Sequence, residues 1–424
     1  MRWLCQDLTQ SPWGSQLDAI KVTGSNGKGS VCAMSSAILQ ALDLEVGTYI
    51  SPHLRRFNER ISIGGQPIAD QDLDEALDWF LSQQTEYARL YPADTIGAFE
   101  AFTAMALHYY AQRQPHALIA EAGIGGRFDS TRVIPGHVAA LTSLDLEHTN
   151  LLGNTLEQIA YDKADLCPDG GTLVIGHIDT DVLRRLKAYC ELRRITPIAF
   201  DEMCQLHTTE FGDNAMIIDI EIEGTRFRDL KIGLQGHHQV SNAAVAVLLT
   251  RQWLNRHYPQ LPKEQFIEAV YTGLARAQNT GRFQKIGANP DIFIDVGHSP
   301  DAVDCLVETV RSVIDERPVL LVTGVSYNKE VEQIVWRLLS VANTVICTRA
   351  YHKGSPVADI AAIVRKYRSD LPTFEASTIE QALTLARDLA LKRNMTILVA
   401  GGLFLAIEAL QTLAGENPQD LRFF

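Results

Sequence analysis

Long hydrophobic runs, paired cysteines and internal repeats are all missing from this sequence. No apolar stretch approaches the roughly 20 residues that a membrane-spanning helix needs, and the first residues do not form the apolar core of a signal peptide. The seven cysteines are scattered without a C-x-x-C pair, which argues against a disulfide framework or a zinc site. These absences predict a soluble, cytoplasmic protein with reduced thiols and no membrane partner.

Positive charge is also scarce. The 424 residues carry a formal net charge of −13, whereas nucleic-acid-binding proteins normally present a basic face. We therefore expect no nucleic-acid partner, although a local cluster of amides and cations can still bind an anionic ligand. With 46% hydrophobic residues the chain can bury a large core, and its length predicts two or three domains.

One short segment has the features of a phosphate-binding loop. Its glycines allow a tight turn close to a polyphosphate, its lysine can reach the terminal phosphates, and its serine can offer a hydroxyl to Mg²⁺. A strand-like run from Ile20 to Thr23 precedes the segment, and apolar residues at helical spacing follow it. Fewer residues separate the first glycine from the Gly-Lys pair than in the usual loop, so this is a shortened variant. The loop residues are Gly24, Ser25, Asn26, Gly27, Lys28, Gly29 and Ser30.

Apolar strand-like runs alternate with helical patterns along the chain, which is typical of α/β architecture with largely parallel sheets. Between Ala199 and Leu234 the pattern changes, and two runs on either side of Glu223-Gly224-Thr225 predict an antiparallel hairpin added to the first sheet. A helix over Val240 to Trp253 follows, and then a second βαβ series. The other main predicted strands are Ala117–Ala122, Val138–Leu144, Thr172–Gly176, Ile292–Val296, Val319–Gly324, Thr344–Thr348 and Thr396–Ala400.

Carboxylates and one histidine stand at the predicted ends of two of these strands. Glu121 ends a buried strand, and Asp145, Glu147 and His148 follow the next one. The carboxyl ends of parallel strands meet at the edge where ligands bind, and hard oxygen ligands with one imidazole suit Mg²⁺ or Mn²⁺ better than zinc. Each acidic residue alone is typical of a solvated loop, but their convergence on the phosphate-binding loop indicates a metal site.

In their order along the chain, these segments resemble the folylpolyglutamate synthases and bifunctional dihydrofolate synthases, a branch of the Mur ligase superfamily. The resemblance runs almost from end to end. It implies an α/β protein in which a P-loop ATP-binding domain, residues 1–279, has a mainly parallel central sheet and a small antiparallel sheet. A smaller Rossmann-like domain, residues 280–424, follows, with the substrates between the two. The matching segments are the shortened loop, Ser51 to Leu54, Asn58 to Arg60, Glu121 to Asp129, Glu147 to Thr149, Lys163, His238-Gln239 with Asn242, Gly281-Arg282, and Asp295 with His298.

The resemblance implies an ATP-dependent ligase that adds L-glutamate to a folate-type carboxylate through an acyl phosphate. The loop amides and Lys28 would hold the β- and γ-phosphates, with Arg282 assisting. Asn242 would contact the adenine and Asp295 the ribose, while His298 would lie near the incoming amino acid. The partners implied are these small molecules alone, and we expect a monomer.

The resemblance also implies two Mg²⁺ ions and a modified lysine. Ser30 and Glu121 would hold the first ion, and Ser51, Glu121 and His148 the second. Lys163 matches a lysine that is carbamylated in these ligases, where a neutral amine captures CO₂. Without the resemblance, the sequence would favour an ordinary surface lysine at this position.

A folate acceptor presents a flat pterin and an anionic tail, so its site combines aromatic surface with cations. The candidates for this site are His53, Arg55, Phe57, Arg127 and Phe128.

Some positions depart from the family pattern. Asn279-Thr280 stands where Trp-Pro is usual, and the segment from Asp295 to Pro300 differs at three positions from the usual Asp-Gly-Ala-His-Asn-Pro. The segment before the P-loop strand is also shorter than the one that usually helps to form the pterin pocket. Two alternatives therefore stay open, namely a related ligase for a non-folate acid and a nucleotide-binding regulatory protein that has lost catalysis. The metal- and phosphate-binding residues that are retained speak against the second alternative, namely Lys28, Glu121, His148 and Lys163.

Overall fold

A computed structural model describes residues 1–9, 11–212, 215–314 and 316–421 of the chain. These residues divide into two compact units, whose main division between Gln278 and Asn279 lies beside the predicted domain boundary. No helix in the described ranges has both the length and the apolar character needed to cross a membrane. The first unit contains Met1–Thr209, Ile218–Ile232 and Gln239–Gln278, and the second contains Glu210–Ile217, Gly233–His238 and the chain from Asn279 onward.

The first unit is built on one large sheet with helices before and after its strands. Up to Met203 its elements are α1 (Arg2–Thr9), β1 (Ile20–Thr23), α2 (Lys28–Gln40), β2 (Val46–Tyr49), β3 (Ile61–Ile63), β4 (Gln66–Pro67), α3 (Asp70–Leu90), α4 (Ala98–Arg113), β5 (Ala117–Glu121), β6 (Val138–Leu141), α5 (Thr149–Leu152), α6 (Leu156–Ala164), β7 (Thr172–Ile175), α7 (Thr180–Leu192), β8 (Thr196–Ala199) and α8 (Phe200–Met203). The sheet order is β4-β3-β2-β5-β1-β6-β7-β8. From β2 to β8 all neighbours are parallel, while β3 and β4 add an antiparallel edge.

The central strands of this sheet are buried along their whole length. Every residue of β1, β5 and β6 is buried, as expected for parallel strands that are covered on both faces. The predicted strands at Ile20, Ala117, Val138 and Thr172 are confirmed, although the last three end earlier than predicted. Because the sheet is parallel here, the loops after β2, β5, β1 and β6 come together at one edge in that order.

A separate small sheet and two long helices complete this part of the chain. The elements are β9 (Cys204–Phe211), β10 (Met216–Ile222), β11 (Thr225–Ile232), α9 (His238–His257) and α10 (Lys263–Arg276). The predicted hairpin is present as β10 and β11, but the expectation that it extends the first sheet is wrong, because β9 joins it in a three-stranded sheet of order β11-β10-β9. The predicted helix from Val240 to Trp253 is confirmed and is longer at both ends.

One carboxylate ties distant parts of the first unit together. Asp18, just before β1, accepts hydrogen bonds from the backbone N–H and ring Nδ1 of His137 at 2.6 and 3.0 Å and pairs with Arg256 at 3.1 Å. His257 Nε2 lies 3.0 Å from its second oxygen, and Trp253 Nε1 donates to its backbone carbonyl at 2.6 Å. Asp18 therefore joins the start of β1, the start of β6 and the end of α9.

The second unit is a smaller α/β layer. Its elements are β12 (Gln284–Gly287), β13 (Ile292–Ile294), α11 (Pro300–Ile314), β14 (Val319–Thr323), α12 (Val331–Leu338), β15 (Thr344–Cys347), α13 (Val357–Tyr367), β16 (Thr373–Glu375), α14 (Ile379–Arg393), β17 (Thr396–Ala400) and α15 (Leu403–Ala414). The sheet order is β12-β13-β17-β14-β15-β16, with only β12 antiparallel. The four predicted strands are confirmed as β13, β14, β15 and β17, and the predicted fold class is confirmed as well.

Candidate active site

Four loops meet at the carboxyl edge of the first sheet. The Gly24 to Ser30 segment connects β1 to α2, and Ser51 follows β2. Glu121 is the last residue of β5 and pairs in register with Val22 of β1. Since β1 lies between β5 and β6, the P-loop has a loop of each neighbour beside it.

Two glycines of the P-loop hold conformations and contacts that exclude a side chain. Gly24 has φ of 147°, and a Cβ there would lie 1.9 Å from the Thr142 hydroxyl oxygen. Gly27 has φ of 84°, and its Cβ would lie 2.4 Å from Asn242 Oδ1. Positive φ and close approach both require glycine. Asn242, which is buried on α9 and donates to Gln239 Oε1 at 2.9 Å, therefore packs directly on the loop.

The segment after β6 fixes the shape of the P-loop. The backbone N–H of Ser25 donates to the Ser143 carbonyl at 3.0 Å, and that of Asn26 donates to the Ser143 hydroxyl at 2.9 Å. The Asn26 amide donates to Asp145 Oδ2 at 2.6 Å, and the Asp145 N–H donates back to the Ser25 hydroxyl at 3.0 Å. The loop is thus held in place at the N-terminus of α2, where backbone amides favour an anion.

Lys28 is folded onto its own loop. Its Nζ donates to the carbonyls of Gly24 and Ser25 at 2.8 and 3.2 Å. Ser30 is buried in the first turn of α2. A bound phosphate would compete with these two carbonyls for the ammonium group, which needs only a rotation of a flexible side chain.

A buried carboxylate lies beside the loop. Glu121 is 4% exposed, and its Oε2 accepts the backbone N–H of Ser51 at 3.0 Å. Burial and the charge of Glu121 raise the pKa of the Cys32 thiol, while Lys28 opposes them, so both charges lie near the same group on α2. The structure therefore brings Ser51 and Glu121 together next to Lys28.

The carboxylate at this site suits a hard cation that takes its other ligands from substrate and water. Among the described residues, no three histidine, cysteine, aspartate or glutamate side chains are grouped closely enough to hold a metal ion by themselves. His148 is exposed and begins α5 with φ of 46°. Mg²⁺ is usually held by one or two carboxylates together with substrate phosphates and waters, so the one buried carboxylate, Glu121, fits Mg²⁺.

Lys163 is buried, in contrast to a surface lysine. It is 1% exposed on α6, and its Nζ pairs with Glu147 Oε1 at 3.0 Å. Burial and the nearby charge of Lys28 lower the pKa of Lys163, against the opposing effect of Glu147. Burial alone would raise the pKa of Glu147, but the charges of Lys163 and Lys28 outweigh it and hold that pKa below its usual range. The three groups form one electrostatic cluster that reaches the P-loop.

The glycine-containing loop after β5 packs on α6. The backbone N–H of Gly126 donates to Asp162 Oδ1 at 3.0 Å, and the Thr23 hydroxyl donates to the Gly125 carbonyl at 2.7 Å. Asp129 accepts the N–H groups of Gly123 and Ile124 at 2.8 and 3.2 Å, which closes the loop. Burial raises the pKa of Asp129. This structural role was not foreseen from the sequence.

An aromatic layer is formed with the segment that follows Ser51. Phe57 stacks on Phe102 with ring centroids 5.5 Å apart and an angle of 18°, and its ring is 4.5 Å from that of His53. Arg60 Nε donates to His53 Nδ1 at 2.9 Å, and the Arg60 guanidinium lies 4.7 Å from the Phe102 centroid. His53 and Arg60 are buried, whereas Phe57 is partly exposed. Of the predicted substrate residues His53 and Phe57, Phe57 is therefore the more accessible. The sequence offered no signal for Phe102, which comes from α4.

The remaining predicted substrate residues differ in accessibility. Phe128 is 90% exposed, although it is a large apolar side chain. Arg127 is engaged by Asp165, whose Oδ2 accepts from Arg127 Nε at 2.6 Å. The backbone N–H of Arg55 donates to the carboxylate of Glu59 at 3.1 Å, which orders the segment after Ser51.

In the second unit, Asp295 organises the loops around Arg282. Its two oxygens accept the N–H groups of Phe283 at 2.9 Å and Gly297 at 2.7 Å. Burial raises the pKa of Asp295, against the opposing charge of Arg282. Burial lowers the pKa of His238 to about 4, and the charge of Arg282 acts in the same direction. His298 is exposed, with Nδ1 3.2 Å from the Val296 carbonyl.

The carboxyl edge of the second sheet holds polar groups that were not predicted. Thr323 ends β14, Thr348 follows β15, and each hydroxyl is buried with no hydrogen-bond partner within the described ranges. Gly401 and Gly402 separate the neighbouring β17 from α15, and a Cβ at Gly401 would lie 2.8 Å from the Thr323 hydroxyl. A strand-Gly-Gly-helix pattern was the only signal of this site in the sequence.

Comparisons with known proteins agree with this geometry. Residues 93–250 match the family model of the Mur ligase middle domain, and residues 281–403 match that of the Mur ligase glutamate ligase domain. The chain is 30% identical over 341 residues to a dihydrofolate synthase/folylpolyglutamate synthase of Bacillus subtilis, which covers 78% of this chain and 76% of that protein. It is 30% identical over 400 residues to a folylpolyglutamate synthase of Lacticaseibacillus casei, with 93% and 90% coverage. The folylpolyglutamate synthase of Mycobacterium tuberculosis complexed with ADP and AMPPCP superimposes with a TM-score of 0.86 at 26% identity, covering 98% of this chain and 96% of that one.

Proposed function

The chain belongs to the family of folylpolyglutamate synthases and dihydrofolate synthases, and from this membership we propose that it joins L-glutamate to a folate-type carboxylate at the expense of ATP. The observation that carries the proposal is the convergence of Lys28, Glu121 and the Lys163–Glu147 pair at one sheet edge. The products are an amide, ADP and phosphate. A protein that only bound a nucleotide would have no need of the buried carboxylate and the buried amine beside the loop.

Carboxylates do not react with amines in water, so the acceptor is first activated. Transfer of the γ-phosphoryl group of ATP to the acceptor carboxylate gives an acyl phosphate, and the glutamate amine then displaces phosphate. This transfer needs in-line positioning and stabilisation of charge on the transferring oxygens. We assign that stabilisation to Lys28 and to the amides at the N-terminus of α2, which the Ser143–Asp145 segment already holds in place.

Two Mg²⁺ ions belong to the proposed site. Ser30 and Glu121 would hold one, and Ser51, Glu121 and His148 the other. When bound, the ions neutralise charge on the phosphates. The buried Glu121 beside the Ser51 backbone supports this assignment.

Lys163 is the proposed site of carbamylation. Its amine would react with CO₂ to give a carbamate and release a proton. The lowered pKa of Lys163 supports a reactive neutral amine, and the nearby ammonium of Lys28 would stabilise an anion at this position.

The acceptor site is proposed to lie between the aromatic layer and the loop after β5. Phe57 on Phe102 offers a flat surface for a pterin, and the exposed Phe128 offers a second apolar contact. Arg55 and Arg127 are the predicted cations of this site, and the His53 ring packs against the Phe57 ring.

The glutamate site is proposed to lie in the second unit. The parallel sheet of this unit changes winding direction between β14 and β17, and small ligands bind at such points. Thr323 and Gly401 lie there, and Thr348 follows the adjacent β15. The two threonine hydroxyls, which have no hydrogen-bond partner among the described residues, are suited to an amino acid carboxylate. Arg282 is assigned to the phosphates. Asp295 is assigned to the ribose, because a carboxylate that accepts two N–H bonds can still accept hydroxyls.

ADP release provides the decisive assay. The protein is incubated with ATP, Mg²⁺ and L-glutamate, with dihydropteroate, a reduced folate monoglutamate or no acceptor. The proposal expects ADP formation that depends on both glutamate and a pteroyl acceptor, and its loss in Lys28→Ala. Turnover with a different carboxylic acid but neither pteroyl compound would assign the chain to a non-folate acceptor. Sedimentation at working concentration tests the proposed monomer, and cell fractionation tests the proposed cytoplasmic location.

A further inference from the structure

A polar cavity lies in the first unit, and no P-loop residue lines it. Its volume is about 480 Å³. Three cations, two carboxylates and a phenol line most of it, namely Lys21, Arg132, Arg193, Asp165, Asp169 and Tyr189.

Lys21 is an unusual residue for its position. It lies inside β1, paired in register with Ala120 of β5 and Ala139 of β6. The residue is 2% exposed, and within the described ranges its amine makes no hydrogen bond or ion pair. Burial lowers the pKa of Lys21 to about 8. Cys167 and the carboxylate of Asp18 oppose this shift, but neither forms an ion pair or hydrogen bond with the amine in the described part of the chain.

Arg132 adds a second cation without a carboxylate partner in the described part of the chain. Its one hydrogen bond runs from NH1 to the backbone carbonyl of Arg127 at 2.8 Å. It is close enough to Lys21 for its charge to lower the pKa of that amine further. Two like charges facing one cavity repel each other, which is unexpected in a chain with a net charge of −13.

The carboxylates of the cavity do not neutralise these two groups. Asp165 accepts from Arg127 Nε at 2.6 Å, Tyr189 at 2.6 Å and Arg193. Asp169 accepts from Arg193 at 2.6 Å. Both acids are therefore committed to cations other than Lys21 and Arg132.

We propose that this cavity binds a small oxyanion, such as inorganic phosphate, between the Lys21 amine and the Arg132 guanidinium. An anion there supplies the missing counter-charge, and the two cations offer several N–H donors to its oxygens. The cavity is also linked to the loop after β5, because Arg132 holds the Arg127 carbonyl and Asp165 holds the Arg127 side chain. The cavity shares no lining residue with the P-loop.

Thermal unfolding with inorganic phosphate as the probe tests the proposal. The measurements use the Lys28→Ala protein, in which phosphate binding at the P-loop is weakened, and potassium chloride keeps the ionic strength constant. At a phosphate concentration ten times Kd, we expect Tm to rise by about 1.5–3 °C. The same measurement with acetate in place of phosphate shows whether the cavity binds a carboxylate or a phosphate.

Three further substitutions in that background identify the site. Lys21→Met keeps the side-chain length and removes the charge, so the phosphate-dependent rise should disappear. Arg132→Gln changes an exposed residue, so it keeps the fold, and it should weaken apparent phosphate affinity about tenfold. Arg194→Gln removes an equally exposed charge outside the cavity and should leave the rise unchanged. No rise in the Lys28→Ala protein, or an equal rise in Arg132→Gln, would overturn the proposal.

Discussion

Replacing Lys163 by alanine gives the sharpest test of the buried cluster beside the P-loop. The substitution removes an amine that is 1% exposed and leaves Glu147 without its partner at 3.0 Å. Breaking a fully buried ion pair in this way typically costs about 3–5 kcal/mol. The Glu147 side chain is 32% exposed and can recover water, so we expect the free energy of unfolding to fall by about 1–3 kcal/mol.

Activity should fall much further than stability. If Lys163 carries a carbamate, Lys163→Ala loses an anion beside the phosphoryl-transfer site, and a loss of about 100-fold or more in ADP release is expected. Acetate or formate should restore part of this activity, because a small carboxylate can occupy the vacated space. Urea unfolding and ADP release are measured on the same preparation, so that a folding defect is separated from a catalytic one.

The matched control is Lys187→Ala. Lys187 also pairs with a glutamate in the first unit, Glu202 at 2.6 Å, but this pair is at the surface. Its loss should change the free energy of unfolding by less than about 1 kcal/mol and leave ADP release unchanged. Full activity in Lys163→Ala, or rescue by ethylamine instead of acetate, would refute the reasoning about the carbamate.

Three other predictions address the nucleotide, the acceptor and stability. Lys28→Ala should fold normally and lose about 100-fold or more in ADP release, because it removes a charge from the transferring phosphoryl group; near-wild-type turnover of a folded variant would contradict this. Phe57→Ala should weaken binding of dihydropteroate by about 1–3 kcal/mol in calorimetric titrations with a non-hydrolysable ATP analogue, whereas an unchanged Kd would exclude Phe57 from the site. Burial would raise the pKa of Asp18, but its hydrogen bonds to His137, Arg256 and His257 lower it to about 2. The unfolded carboxyl therefore takes up its proton first as pH falls, so the stabilisation is present above about pH 4 and is lost towards pH 2. Asp18→Asn should remove about 2 kcal/mol of this dependence in urea titrations, and parallel pH curves for both proteins would show that the pairing does not stabilise the fold.

Much of the fold could be predicted because its central strands are continuous apolar runs. β5 and β17 could be predicted from the sequence, since each is a run of mostly apolar residues, as is typical of a parallel strand that is buried on both faces. β9 was not predicted, because half of its residues are exposed polar side chains and its apolar residues do not alternate with them. β9 is a strand because it pairs with the neighbouring β10, and this pairing exists only in the folded chain.

The candidate site was predictable where its chemistry depends on local sequence. The P-loop needs particular residues at fixed spacing, so Gly24 and Lys28 could be identified without a structure. Contacts between distant segments could not be foreseen in the same way. Phe102 reaches Phe57 only because α4 packs beside the loop after β2, and Asp165 engages Arg127 only because α6 ends beside the loop after β5.

The ties made by Asp18 have a consequence for the order in which this protein is synthesised and folds. Its partner His257 lies 239 residues further along the chain. A ribosome therefore has to release the end of α9 before the start of β1 can be anchored, although the P-loop emerges among the first residues. Until then the nascent nucleotide-binding loop lacks the asparagine that packs against Gly27 as well. A chain interrupted before α9 would carry the whole phosphate-binding motif and still lack the contacts that stabilise it, so translation through α9 sets the earliest moment at which the nucleotide site can mature.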